Sequence, residues 1–360
     1  MPRAVSTPSA NDPIVARFGK DLTALTGPLG GSARIGLAVS GGPDSLALLL
    51  LANAAVPGQI TVATVDHGLR AEAADEAAMV GRICGEWGIP HVALSKERHP
   101  ELVSGSTRPR APAQETEWML KQGQHDGGVM GNVQARARIL RYRLLGGWAE
   151  REGLDCVATA HHRDDVAETF LMRALRGSGV GGLAQMRSSG PIPYASDAKA
   201  RLIRPLLGWD RAELAQIVQQ AGLAPVQDPS NADARYDRVR IRELLRREPL
   251  LEAEPMARAA GNLADAQAAL DWMADQAWRS RSERLDSGEL RIDPNDLPIE
   301  IQRRLAGRAI GELSPDWDGD GLDRLVAQII AGGTATLAGV KASGGEMWRF
   351  GIAPAHRGHH

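Results

Sequence analysis

The stretch Arg34-Ile-Gly-Leu-Ala-Val-Ser-Gly-Gly-Pro-Asp-Ser45 decides the architecture. Its first half is a short apolar run, the pattern of a strand buried on both faces. Gly41, Gly42 and Pro43 turn the chain, and residues 45–55 follow as an apolar helix. A strand that turns through small residues into a helix directs the free N–H groups of the first helical turn at whatever lies above it. Ser40 and Ser45 add hydroxyl donors, so the loop suits a phosphate. Asp44 cannot bind phosphate directly, but it can hold a Mg²⁺ that does. The loop lacks the G-K-[ST] ending of a Walker A sequence.

The alternation continues downstream. Residues 60–65 read as a strand ending in Asp66-His-Gly-Leu-Arg70, residues 73–87 as a helix stopped by Gly88, and residues 91–94 as a third strand. Residues 155–160 form another buried strand, followed by the loop His161-His-Arg-Asp-Asp165 and a helix over 166–176. Residues 201–207 are extended, and Asp210 caps a helix over 211–221. Strands alternating with helices of this length predict an α/β fold with a doubly wound parallel sheet. Three segments stand outside the pattern. Residues 1–30 read as a tail with a short helix at 14–25. Residues 96–131 have no steady period and read as a disordered insertion whose ends look like a translated palindromic repeat, with little catalytic content. Residues 177–182 are a flexible glycine loop.

Past residue 249 the character becomes helical, over 254–284, 297–310 and 321–330, and residues 334–341 and 346–351 suit a small hairpin. The expected domains are therefore 31–248 for the sheet, 249–332 for a smaller helical domain and 333–360 for a hairpin and tail.

Asp165 and Glu168 stand three apart at a helix start, so both carboxylates share one face and can take an ammonium group or Mg²⁺; helix capping is the plain alternative. No further His or Cys completes a zinc site around His161 and His162. Two arginine-rich helices match phosphate contacts or, more plainly, solvated salt-bridged faces. One carries Arg136, Arg138, Arg141 and Arg143; the other, over 236–247, carries Arg238, Arg240, Arg242, Arg246 and Arg247 after Arg235.

The whole chain has 360 residues and a formal net charge of −2, which excludes a uniformly basic polyanion binder. All but five of its 42 basic residues are arginine, a bias that GC-rich codons explain, although planar guanidiniums also grip phosphate. The two cysteines, Cys84 and Cys156, lie far apart, which argues against a disulfide scaffold or a metal cluster and for a reducing compartment. No apolar run approaches the ~20 residues of a membrane span, and the first 13 residues lack the apolar core of a secretory signal. A cytoplasmic protein is expected.

The Ser40–Ser45 motif resembles the phosphate loop of the PP-loop (N-type) ATP pyrophosphatases. It occurs here with VDHGLR (65–70), QARARILRYRLL (134–145), AHHRDDVAETFLMRALRGSGVGGLAQM (160–186), RLIRPLL (201–207) and DPSNADARYDRVRIREL (228–244). In that order and spacing they resemble one family of the group, the tRNA(Ile)-lysidine synthetases. The resemblance implies an enzyme that uses ATP and Mg²⁺ to adenylate C2 of the wobble cytidine in a CAU-anticodon tRNA(Ile). The ε-amine of free L-lysine then displaces AMP. It implies that Ser40, Gly41, Gly42, Pro43, Asp44 and Ser45 bind the ATP phosphates, with Asp44 near Mg²⁺. Asp66 and His67 would lie by the adenosine, and Asp165 and Glu168 would hold lysine. Arg136, Arg204, Arg238 and Arg242 would contact tRNA or phosphate. A homodimer is one assembly left open.

There are departures from the family pattern. Gln134 stands where Glu is common, and the R-N-x-x-R of the last motif reads Arg238-Val-Arg-Ile-Arg242. The helical region after 249 fits the family's tRNA-binding domain more loosely and lacks the second C-terminal domain of its long members. The alternatives are a PP-loop tRNA cytidine thiolase, which shares the H-H-R-D-D segment but needs cysteines, and a non-catalytic tRNA-binding relic.

Overall fold

The computed structural model describes residues 7–27, 33–66, 73–96, 129–184, 186–195, 198–226, 237–315, 317 and 319–354. They form two compact units, Met1–Asn262 and Leu263–His360. The first holds a six-stranded sheet of β1 (Ile35–Ala38), β2 (Ile60–Asp66), β3 (His91–Ser95), β4 (Cys156–Ala158), β5 (Ser189–Pro191) and β6 (Arg201–Ile203). Its helices are α1 (Pro13–Thr26), α2 (Pro43–Ala55), α3 (Ala73–Glu86), α4 (Val129–Glu152), α5 (Arg163–Leu175), α6 (Val180–Leu183), α7 (Arg211–Gln220) and α8 (Asp237–Arg247). A long helix, α9 (Ala253–Arg281), follows.

The strand order is β3-β2-β1-β4-β6-β5, parallel throughout except for β5. The order runs outward in both directions from β1 and β4. That reversal makes their carboxyl ends the switch point at which open α/β sheets take ligands.

Alternate residues of β1 serve the two faces of the sheet. Ile35 and Leu37, with Val39 just beyond the strand, enter a core shared with α1, α2, α3 and α7. Helix α2 is apolar on every side because it lies between the sheet and other helices; Leu46, Leu48, Leu49, Leu50 and Leu51 are all fully buried. On the opposite face Ala38 and Ala63 meet Tyr142, Leu144, Leu145 and Trp148 of α4. Here Gly36 has a specific purpose. A Cβ at this position would stand 2.7 Å from the Trp148 ring and 2.6 Å from Leu154. Gly36→Ala is therefore expected to cost about 1–3 kcal/mol through overpacking. The urea midpoint measures this, and an unchanged midpoint would show that Trp148 moves freely.

Several expectations change. The short helix expected over 14–25 is present as α1, and it joins the sheet's core: it is capped by Asp12 and buries Val15, Phe18 and Leu22, with Phe18 edge-on to Trp209. Val180–Leu183 forms a helical turn inside the expected glycine loop, since glycines do not prevent a turn that packing favours. Helix α5 starts at Arg163, so Asp165 belongs to its first turn. Helix α4 starts at Val129, within the expected insertion; residues 97–128 lie outside the described residues. The two units divide inside α9, past the composition change near 249, because the helix runs on without a break.

The second unit is not simply helical with a terminal hairpin. It contains α10 (Ile299–Leu313), α11 (Leu322–Ile330), β7 (Ser282–Arg284), β8 (Leu290–Ile292), β9 (Thr334–Leu337), β10 (Val340–Ser343) and β11 (Trp348–Ile352). These strands make one antiparallel sheet in the order β7-β8-β11-β10-β9. Trp348 and Phe350 pack from it against Ile301, Leu305, Ile310 and Ile329. Among the described residues no helix is long and apolar enough to cross a membrane.

Candidate active site

The loop after β1 is built for an anion. Gly41 has φ +83°, and a Cβ there would also crowd Met79 at 3.0 Å. Its carbonyl accepts a hydrogen bond from Val226 N at 3.0 Å, which pins the loop. Gly42 caps α2 without a side chain, and Pro43 opens the helix, so no side chain blocks the first turn. Ser45 Oγ donates to the Gly42 carbonyl at 2.9 Å, accepts from Ser40 N at 3.2 Å and lies 3.3 Å from Ser40 Oγ. Both hydroxyls thus sit over the helix N-terminus.

Asp44 faces the loop after β4. Its Oδ2 lies 3.5 Å from His162 Nε2, while its Oδ1 is buried with no hydrogen-bond partner among the described residues. An orphaned carboxylate oxygen beside a phosphate loop fits a Mg²⁺, which needs only one or two protein carboxylates and takes its other ligands from water and phosphate.

His162 joins three carboxylates. Nδ1 lies 3.4 Å from Asp164, and Nε2 lies 3.6 Å from Asp165 as well as near Asp44. Burial opposes a charge here, but the close carboxylates of Asp164 and Asp44 and the field of Asp165 prevail and push its pKa up to about 10. The imidazolium therefore stabilises the fold fully below its ordinary value of 6.5, and that contribution fades as pH climbs toward about 10. Accordingly, the stability gap between the wild type and His162→Gln should shrink from pH 6.5 to pH 10. Denaturant titrations across that window measure it, and a constant gap would contradict the charged state.

Asp165 and Glu168 meet the second arginine helix. Arg238 donates from Nε to Glu168 Oε2 at 2.7 Å and from Nη2 to Asp165 Oδ1 at 2.6 Å. Arg242 donates from Nε to Glu168 Oε1 at 2.7 Å and from Nη2 to Oε2 at 3.2 Å. Glu168 is only 2 % exposed. Burial would raise its pKa, but the hydrogen bonds and charges of Arg242 and Arg238 outweigh that and hold it below the ordinary glutamate value.

A third cluster lies beside this one. Arg204, just after β6, donates from Nη1 to the Arg187 carbonyl at 2.6 Å and hydrogen-bonds Tyr142, while its Nε is buried with no hydrogen-bond partner among the described residues. Arg138 lies over the Tyr142 ring at 5.1 Å. Burial first, and then Arg138, lower the pKa of Arg141, against the pull of Tyr142 and Asp165. Arg138, Arg141 and Arg204 make no ion pair with a carboxylate among the described residues. His161 stands against this cluster, with Nδ1 2.9 Å from Thr159 Oγ1. Burial and then Arg141, Arg204, Arg238 and Arg138 push its pKa well below 6.5, so it is neutral.

Ser40–Ser45, Asp165, Glu168, Arg204, Arg238 and Arg242 are thus all placed at or beside the carboxyl ends of the strands. Asp66 ends β2 and is half-buried. Arg136 is exposed on α4, and none of the contacts above includes it. His67 lies outside the described residues. Sequence reasoning passed over His162, Tyr142 and Thr159 as site residues, and it named Arg141 only as one arginine of a helix that matches phosphate contacts. The doubled histidine before the acids was the one signal for His162, and Arg141 was hidden among its arginine neighbours.

A phosphate loop at the switch point of a parallel sheet, faced by a carboxylate and arginine cluster, defines an ATP-using PP-loop protein, and residues 15–248 match the family model described as PP-loop domain. Over most of its length the chain is also similar to curated relatives. It is 44 % identical to the tRNA(Ile)-lysidine synthase of Novosphingobium aromaticivorans over 95 % of this chain and 94 % of that one. It is 40 % identical to that of Zymomonas mobilis subsp. mobilis over 92 % of each. That of Ruegeria pomeroyi is 40 % identical over 80 % of this chain and 61 % of that one. The chain belongs to the tRNA(Ile)-lysidine synthase family.

Proposed function

We propose that this protein uses ATP to adenylate C2 of the wobble cytidine in a CAU-anticodon tRNA(Ile) and then joins free L-lysine at that carbon, releasing AMP. The observation that carries the reading is the adjacency of β1 and β4. It sets the phosphate loop against the Asp165–Glu168–Arg238–Arg242 cluster, with His162 between Asp44 and Asp165. One end suits a nucleotide, and the other suits a cationic amine beside an anion.

Each residue has a task that its surroundings support. Ser40, Ser45 and the α2 N-terminus bind the polyphosphate. Asp44 would hold the Mg²⁺, which supplies charge neutralisation to the phosphates when bound. Asp66, at the end of β2, borders the place of the adenosine. Asp165 and Glu168 accept an ammonium group of lysine, which shares them with Arg238 and Arg242. Arg138, Arg141 and Arg204 have no carboxylate partner among the described residues and suit a phosphate, either of the adenylyl group or of the RNA backbone. Displacement by lysine becomes feasible because adenylation turns a poor oxygen leaving group into a good one, and the carboxylates fix the nucleophile nearby.

The two cysteines do not support thiolation chemistry. Cys84 and Cys156 are buried, and burial pushes their thiols up to about 11 and about 12, away from the reactive thiolate. The decisive experiment is mass spectrometry of nucleosides from tRNA(Ile) incubated with the protein, ATP and isotope-labelled lysine. The label is expected on one cytidine per tRNA. Pyrophosphate release without label would overturn lysine as the nucleophile.

A further inference from the structure

Displacement of AMP by an amine needs a group that takes the proton the attacking nitrogen sheds, and that group must be unprotonated, with a lone pair free of other bonds, when lysine arrives. The acids of the site do not meet this need. Both Glu168 oxygens and Asp165 Oδ1 already accept hydrogen bonds from Arg238 and Arg242, Asp165 Oδ2 accepts from His162 N at 3.0 Å, Asp164 Oδ2 accepts from Arg211 N at 3.3 Å, and Asp44 Oδ2 faces His162 Nε2. We propose that His161 Nε2 is the proton acceptor for the lysine-transfer step. The inference rests on the lysine-ligating reading above.

The geometry is as follows. His161 stands on the loop from β4 to α5, four residues before Asp165, at the carboxyl edge of the strand next to β1. Its Nδ1 pairs with Thr159 Oγ1 at 2.9 Å, which fixes the ring. Its Nε2 makes no hydrogen bond among the described residues, and the side chain is partly open to the site. The charged groups that face it are Arg138 and Arg141 of α4, Arg204 after β6 and Arg238 of α8. Arg238 is also the guanidinium bound to Asp165 and Glu168, so one side chain acts on both the ring and the carboxylates that hold the amine. Burial first, and then those arginines, hold the imidazole below its ordinary pKa.

The step balances without a further reactant. The bound ammonium first gives one proton to water, and the nitrogen lone pair this frees forms the bond to C2 of the adenylated cytidine. That bond makes the nitrogen far more acidic than a free ammonium, so a weak base suffices, and the proton passes to His161 Nε2. The C2–O bond then breaks with its electron pair on the oxygen, which leaves as the phosphate of AMP beside Arg138, Arg141 and Arg204. His161 returns its proton to water or to the departing AMP.

The test separates the two half-reactions in the full chain. Pyrophosphate release from ATP with tRNA but no lysine reports adenylation; label transfer from lysine reports the second step. His161→Gln is expected to leave the first within a few-fold and to slow the second by about 10²-fold or more. The deficit should narrow as pH rises, and it should be smaller for S-(2-aminoethyl)cysteine, whose sulfur makes the amine less basic. Thr159→Val, which keeps the ring but removes the Nδ1 partner, should cause a weaker loss confined to the second step, and it serves as the test if the histidine variant does not fold. Lysine transfer within threefold of wild type in His161→Gln would overturn the proposal. So would equal loss of both steps in a variant that melts normally. A wild-type protein that releases pyrophosphate but never incorporates lysine overturns instead the functional reading beneath it.

Discussion

Glu168→Gln is expected to slow lysine transfer by about 10²–10³-fold, the size of effect that follows loss of one oriented charged partner in a water-poor site. Glu168 is the most buried acid of the cluster and receives three of its four arginine hydrogen bonds. The amide offers one acceptor oxygen and turns its NH₂ toward a guanidinium, so Arg238 or Arg242 loses its partner. Removing one member of a fully buried pair costs about 3–5 kcal/mol. Arg238 and Arg242 are 39 % and 30 % exposed, so water recovers part of this and about 2–3 kcal/mol is expected. Lysine KM should rise while ATP-dependent pyrophosphate release is retained. An unchanged lysine KM in a folded variant would remove Glu168 from the lysine site.

The second large effect belongs to Asp44. Asp44→Asn should reduce pyrophosphate release by about 10²–10³-fold and raise the Mg²⁺ concentration needed for half-maximal rate. Stability should fall modestly near neutral pH, because the substitution takes a carboxylate from the His162 imidazolium, although Asp44 Oδ1 itself has no hydrogen-bond partner among the described residues. The same change takes one of three carboxylates from His162 and should draw its pKa down from about 10. Activity loss in a variant that stays folded at the assay temperature, with a raised Mg²⁺ requirement, separates a substrate-binding carboxylate from a structural one; a variant with a normal Mg²⁺ requirement would argue against the metal.

The parallel sheet and the phosphate loop were legible because buried parallel strands are written as uninterrupted apolar runs, and the turn after β1 needs small residues. The strands of the second unit were not: Ser282–Arg284 and Leu290–Ile292 are too short for an alternation to show, and their pairing with β11 joins segments far apart in the chain. The acids of the site could be read from their i, i+3 spacing. Their arginine partners, some 70 residues away, could be read only as charged helix faces, since no local pattern states which cation meets which anion. His162 and Arg141 owe their importance to burial among charges, a property of the packed site that residue type does not carry.

Gly36 has a consequence for the chemistry, although it has no chemistry of its own. By letting the Trp148 ring rest on β1 it locks α4 against rotation and sliding at a point two helical turns from Arg141. Arg141 and Trp148 are seven residues apart, so they share one side of the helix. Trp148 thus acts as an indexing pin, and the hole it fits is the missing side chain of the strand that ends in the phosphate loop. Any residue larger than glycine there would turn the arginines out of aim before it disturbed a single group that touches substrate.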